Sequence, residues 1–349
     1  MPRRKFRLTM PRNRPTTRHH FNTTGLTMSD SEWESMVSYQ SFATESADDL
    51  EDYEYWVAKI RDIKGHKDQE VWTRVQWFYS AEDVTGILKL FKPDFCGKYE
   101  RIISDHYGFV HVDCFSGTTS MSHFREDDLQ QRIINHEEFF YRYQLDCAHK
   151  LLKPKQTYLS CGLCKIPYSP EDSDPHQLMH ICPRPSCKKA FHVRCLQDHT
   201  PSLRDLEKNH MKRTLRLIST WPHTDELLTI SMLASPVSPT RGKKGKVEPR
   251  SEQAAEITQN FLDSLPSDLI KVAEQPIVRG GAFPAGGISG NVAAVVAARK
   301  LIYDALQGSS VPDDWDKDLN MRKVVVSFNY GGKRRSLQHF LCPSCSSPI

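Results

Sequence analysis

Val71-Trp72-Thr73-Arg74-Val75-Gln76-Trp77-Phe78-Tyr79 is a run of β-branched and aromatic residues with no glycine or proline. Such a run reads as a β-strand, and strand alternation puts Val71, Thr73, Val75, Trp77 and Tyr79 on one face. Immediately upstream, Gly65-His66-Lys67-Asp68 supplies a turn, and residues 56–63 (Trp-Val-Ala-Lys-Ile-Arg-Asp-Ile) alternate as the partner strand. Further strands are expected near 100–103, 109–115 and 139–145. Five or more short strands at hairpin spacing within 33–152 predict a small, mainly β barrel or sandwich.

Outward from that block the texture changes. The chain has 349 residues, room for two or three domains, and 38% hydrophobic content, enough to build cores. Residues 1–29 carry seven Lys/Arg and no acid, while 45–54 hold six acids. Without apolar periodicity, 1–30 is expected to be a disordered basic tail. Its basic start has no apolar stretch behind it, so no secretory signal is expected. No run approaches the ~18 apolar residues of a membrane span. After a cysteine-rich segment, helices are predicted at 202–218, 252–265 and 291–306, a flexible basic linker at 235–246, and a strand at 323–330.

Ten cysteines could pair as disulfides, but seven fall in two tight clusters. In a reducing compartment that favours metal. Cys96, Cys114 and Cys147 stand apart and are expected to be small core residues. With one histidine, the seven give an ordered string: Cys161, Cys164, Cys182, Cys187, His192, Cys195, then a gap of 146 residues to Cys342 and Cys345. A Cys-x2-Cys pair brings two thiolates to one zinc at ~2.3 Å, so eight ligands make two tetrahedral sites. Lengthening a loop from ~15 to ~146 residues costs only about 2 kcal/mol. A structural zinc contributes roughly 10–16 kcal/mol. The gap is therefore tolerable. His180, His199 and His210 stand by as replacement ligands should the last pair dock elsewhere.

On the strand face, Trp77 and Tyr79 stand side by side, with Trp56 available from the neighbouring strand. Three rings can box a quaternary ammonium at ~0.5–2 kcal/mol per ring. The same rings also suit a hydrophobic core, and on spacing alone the core reading is favoured.

The segments Trp56-Val-Ala-Lys-Ile60, Gln76-Trp-Phe-Tyr-Ser-Ala-Glu-Asp83, Ile103-Ser-Asp-His106 and Phe139-Phe-Tyr-Arg-Tyr143 resemble successive blocks of a bromo-adjacent-homology (BAH) domain. They are similar to plant and fungal BAH-PHD proteins that read histone H3 trimethylated on lysine-27. The resemblance implies a cage of Trp56, Trp77 and Tyr79, with His106 holding the histone backbone. Trp56 stands where the family often has Tyr. Gly108 stands where relatives often place an acid.

The ligand order, with histidine fifth, resembles a PHD finger. That implies an interleaved pairing: Cys161, Cys164, His192 and Cys195 on one zinc, and Cys182, Cys187, Cys342 and Cys345 on the other. Ala190 replaces the Trp of PHD fingers that bind trimethylated tails, and Pro183-Arg184-Pro185-Ser186 replaces their acids. A structural or partner-binding finger is expected, with Tyr158 and Tyr168 available for other contacts.

The expected architecture is an α+β multidomain protein. It has a disordered tail (1–30), a β-rich, barrel-like BAH domain (31–155), a zinc-stabilised PHD-type finger (156–199 plus 338–349) and a helical or flexible insertion (200–337). The expected function is that of a nuclear chromatin reader acting in transcriptional repression, not an enzyme and not bound to membrane. It would carry two structural Zn²⁺ ions. Its partners would be a histone H3 tail or nucleosome, other chromatin proteins and, weakly, DNA through the basic tail.

Two other classes remain open: a RING-like ubiquitin ligase, and a DNA-binding adaptor using 3–18 and 241–246. Gly286-Gly-Ile-Ser-Gly290-Asn291 has the glycines of a phosphate loop but neither the Lys-Ser/Thr nor the acid that such loops use. A flexible lead-in to a helix is expected there. His19-His20 has no paired ligands, and no Ser/His/Asp or Cys/His catalytic set is visible.

Overall fold

The computed structural model describes residues 6–8, 37–38, 52–65, 70–199, 260–330, 333–345, 347 and 349. The expected helix at 202–218, the linker at 235–246, His19-His20 and most of the 1–30 tail lie outside the described residues. The fold divides into two compact units, 1–124 with 136–158, and 125–135 with 159–349.

The first unit is built on a mainly antiparallel sheet. Its strands are β1 (Phe6–Leu8), β2 (Val37–Ser38), β3 (Trp56–Gly65) and β4 (Val71–Tyr79), the last followed by the short helix α1 (Ala81–Thr85). Then come β5 (Ile102–His111), β6 (Phe115–Thr118), the small pair β7 (Ser122–His123) and β8 (Phe140–Tyr141), β9 (Gln144–Asp146) and β10 (Leu151–Lys153). The order across the sheet is β10-β9-β5-β4-β3-β1-β6, with β2 also on β3. This path has two ends, so the described pairings make an open sheet where a barrel-like domain was expected. Phe6–Leu8, expected in a disordered tail, is a strand: its backbone pairs with 56–58 on one side and 115–118 on the other. The expected strands at 100–103 and 109–115 meet in β5 only as far as His111, after which a 3-10 turn (Val112–Cys114) leads to β6, and that at 139–145 splits into β8 and β9.

The two faces of the β3–β4 hairpin bury different clusters, as alternation requires. Ala58, Val75 and Trp77 pack with Val110 and Phe115. Val57 and Phe78, on the opposite face, pack with Met121 and Phe139. A third cluster, including Val84, Phe91, Cys96, Ile102 and Leu145, closes the β9 side. Cys96 is a buried core residue as expected, and Cys114 and Cys147 are half-buried.

The second unit holds a three-stranded sheet, β12-β11-β13, from β11 (Met179–Ile181), β12 (Ala190–His192) and β13 (Val278–Arg279). Helix α2 (Val193–His199) follows β12, and α3 (Ser267–Ala273) packs against α4 (Val292–Leu306). Of the helix expected at 252–265, residues 260–263 are described and helical. The strand expected over 323–330 is instead α5 (Met321–Val324), capped by the Asn320 side chain, followed by β14 (Ser327–Tyr330), which pairs with β15 (Lys333–Ser336). The cap satisfies an N–H that would otherwise lack a partner, which tips this short segment to helix.

The glycine-rich 286–291 segment is neither a flexible lead-in nor a phosphate loop. All six residues are buried. The Asn291 side chain accepts from Val278 N at 2.9 Å and donates to Pro276 O and Val324 O at 3.0 and 2.9 Å, tying three segments together. Ser289 Oγ likewise accepts from Ile134 N and donates to Arg132 O. Gly290 has φ +70°, and a Cβ there would lie 2.0 Å from Val278 O. Gly290→Ala should therefore lower the stability of the second unit by more than the ~1 kcal/mol of an ordinary glycine replacement. An unchanged thermal transition for that unit would contradict the packing.

Candidate aromatic cage and metal centres

The antiparallel register sets Val57 opposite Phe78 and Ala58 opposite Trp77, so Trp56, Trp77 and Tyr79 share one face. The Trp56 ring stands nearly perpendicular to both others. Its centroid is 5.8 Å from that of Trp77 at 76°, and 6.2 Å from that of Tyr79 at 74°. Trp77 is 5% exposed and belongs to the core cluster, whereas Trp56 and Tyr79 are half-buried. Trp77 is thus a core side chain as well as a neighbour of Trp56.

A bulge in β5 brings the fourth expected residue in. Gln76 pairs with Tyr107, yet Phe78 pairs with Ile103, so β5 carries two extra residues opposite Trp77. Bulges of this kind re-aim side chains. Ser104 Oγ pins this one by donating to Trp77 O at 2.9 Å. His106 Nδ1 then sits 2.7 Å from the Tyr79 hydroxyl, the two rings stacked at 22°. Burial, reinforced by Cys147, Asp83 and Asp105, pushes the Tyr79 phenol up to about 12, so it keeps its proton. Burial holds His106 below the usual imidazole range despite Asp105. A neutral imidazole that accepts at Nδ1 carries its proton on Nε2.

Tyr79 and His106 line a cleft of ≈ 530 Å³ together with Ile87, Asp105, Tyr107 and Cys147. Asp105 accepts from Cys147 N at 2.8 Å, which ties β5 to the turn after β9. Gly108 has a local cause too: a Cβ there would lie 2.8 Å from the Trp77 indole nitrogen. An acid at this position is incompatible with the ring as placed. The bulge was missed in the sequence. Its signal was the polar group Ser104-Asp105-His106 interrupting an apolar strand.

In the second unit the chain assembles both expected ligand sets. The ligand atoms of Cys161, Cys164, His192 and Cys195 all lie within 4.8 Å of one another, as do those of Cys182, Cys187, Cys342 and Cys345. A tetrahedral metal with ~2.3 Å metal–sulfur bonds sets sulfurs about 3.8 Å apart. Cys182 and Cys345 are 3.4 Å apart, Cys187 and Cys342 3.7 Å, and His192 Nδ1 is 3.3 Å from Cys164 Sγ. Lys165 and Lys188, each directly after a ligand, take positive φ of 63° and 46°, folding the chain back under the sulfurs.

In the second set the Cys182 thiol donates to Cys342, which holds Cys342 well below the usual thiol range and pushes Cys182 up. Burial alone would raise Cys161, but hydrogen bonds from His192 and the knuckle backbone outweigh it and bring it down. One thiol of each set, Cys161 and Cys342, is thus lowered, while burial holds Cys187 and Cys195 up. Both clusters could hold metal ions and are compatible with zinc. The substitute ligands are not used: His180 is fully buried against Phe340, and His199 bonds Cys195 O. His210 lies outside the described residues. Tyr168 is packed inside, donating to Ile288 O at 2.8 Å beneath Arg279, while Tyr158 is exposed.

No family model matches the chain, and no curated protein matches it. Among solved structures, the crystal structure of the yeast Rsc2 BAH domain is a weak neighbour, with a TM-score of 0.22 and 16% identity. The match covers 30% of this chain and 44% of that one.

Proposed function

We propose that this protein is a non-enzymatic chromatin reader whose Trp56, Trp77 and Tyr79 bind trimethyl-lysine on a histone H3 tail, at lysine-27. The observation that carries the reading is the Trp56 ring set nearly perpendicular to both Trp77 and Tyr79, at centroid distances of 5.8 and 6.2 Å. A trimethylammonium has no donors and spreads its charge over methyl groups, so ring faces suit it better than carboxylates. His106, stacked beside Tyr79, is the residue that the BAH-like blocks assign to the histone backbone. The choice of H3 lysine-27, and of repression in the nucleus as the setting, rests on the BAH-like sequence blocks. The two clusters hold structural zinc in a PHD-type finger, since four protein ligands leave no open coordination position.

Calorimetry on the full chain, with trimethylated and unmodified H3 peptides, tests the reading. Trp56→Ala removes a half-buried ring and should leave the domain folded. Losing one good cation–π contact of ~1–2 kcal/mol should weaken trimethyl-peptide binding about 5- to 30-fold. A folded variant with undiminished preference for the methylated peptide would overturn the cage.

A further inference from the structure

The first unit also carries a lysine surface for which a methyl-lysine cage has no use. Segments 86–98 and 147–156 hold six lysines and a single acid, Asp94. Lys98 is engaged, its ammonium 3.8 Å from the Tyr53 ring centroid. The other five, Lys89, Lys92, Lys150, Lys153 and Lys155, are exposed. Lys92 lies 5.8 Å from the Phe95 ring centroid and Lys153 acts electrostatically on Asp146, but among the described residues none of the five is in an ion pair within 4 Å.

The two segments are held together rather than merely close in composition. The Gln156 side chain accepts from Lys92 N at 3.0 Å and donates to Lys92 O at 2.9 Å. Phe91, one residue before Lys92, and Leu152, one residue before Lys153, pack in the same cluster. With Leu152 turned inward, alternation along β10 turns Lys153 outward.

We infer that this surface binds the sugar–phosphate backbone of duplex DNA. Duplex DNA presents a negative charge every ~1.7 Å along its axis, and lysines that neutralise phosphates release condensed counterions. Ammonium groups on flexible stems serve phosphates as point charges without reading bases, so the contact is independent of sequence. DNA is chosen over other polyanions because a histone tail is presented beside it, and this choice rests on the reader function proposed above. A weak DNA contact linked to a weak tail contact raises overall affinity through effective concentration. Leu90, 93% exposed between Lys89 and Lys92, makes an anionic membrane the competing partner.

The test uses the full chain, a mixed-sequence duplex of about 25 base pairs and fluorescence anisotropy from roughly 50 to 200 mM salt. One variant replaces all five lysines by Ala, a second replaces all five by Arg. The Ala variant should lose about 4 units of the slope of log affinity against log salt, at ~0.9 per phosphate contact, and tenfold or more in affinity. The Arg variant should keep both. Trimethyl-lysine peptide affinity should be unchanged in both, so failure of the cage and failure of this surface are read separately. An unchanged slope in the Ala variant overturns the inference. So does tighter binding to phosphatidylserine vesicles than to DNA, if the Ala variant abolishes it.

Discussion

Cys342→Ser should release one of two metal ions and unfold the second unit. Cys342 is 1% exposed, and its sulfur lies 3.7 Å from Cys187 in a cluster completed by Cys182 and Cys345. A serine hydroxyl does not replace a thiolate at such a site. Structural zinc contributes roughly 10–16 kcal/mol of apparent binding, comparable with the whole ~5–15 kcal/mol stability of a domain. Cys342 N also donates to Ser347 O at 2.8 Å, so the closing turn loosens with the metal. Elemental analysis should fall from two metals per chain to one. The thermal transition of the second unit should vanish or move far down, with that of the first retained. A variant that keeps two metals and its melting profile would show that the second cluster is not a metal site.

The second large effect is expected at a buried ion pair. Arg142 and Glu100 have side chains only 1% and 0% exposed, and two N–H groups of the guanidinium meet the carboxylate at 2.8 Å each. Arg142 also donates to Phe95 O at 2.6 Å, and Glu100 accepts from Gly97 N at 2.9 Å. Glu100→Ala leaves a guanidinium in the interior without its counter-charge, at a cost of about 3–5 kcal/mol. For a domain of this size the melting temperature should drop by roughly 10–20 °C. The double variant Glu100→Leu with Arg142→Met removes both charges and should recover most of the loss, because an apolar pair avoids the desolvation cost. If the double variant is no better than Glu100→Ala, the loss lies in packing rather than in the unpaired charge. Glu100 stands two residues before β5, the strand that carries His106, so the same destabilisation should weaken peptide binding.

The hairpin was legible because its signal is local. The run from Val71 to Tyr79 forms a strand with those same bounds, and period-two alternation fixed which rings share a face. The eight ligands were legible for a different reason: their spacing marks them whatever lies in the 146-residue gap, while their division into two sets came from the resemblance to a PHD finger. The β5 bulge was not legible. It arises because Gln76 and Phe78 pair with residues four apart on the neighbouring strand, a register no single segment encodes. Nor was the role of 286–291, whose glycines looked like freedom. They are needed for close approach, and only the backbone of Val278 and Ile134 shows what they approach. The lysine surface escaped notice because its halves are some 60 residues apart, joined by Gln156 and by the packing of Phe91 and Leu152 in one cluster.

The split ligand string also imposes an order in time. On a ribosome adding about 5–20 residues per second, the 146 residues between Cys195 and Cys342 take roughly 7 to 30 s to make. The set of Cys161, Cys164, His192 and Cys195 is complete before that interval starts. Cys182 and Cys187 must pass through it with half a coordination shell, as reactive thiols in a nascent chain. Thiol oxidation during that interval can therefore block the second set before its last two ligands exist, and a truncation anywhere in the interval leaves Cys182 and Cys187 without Cys342 and Cys345.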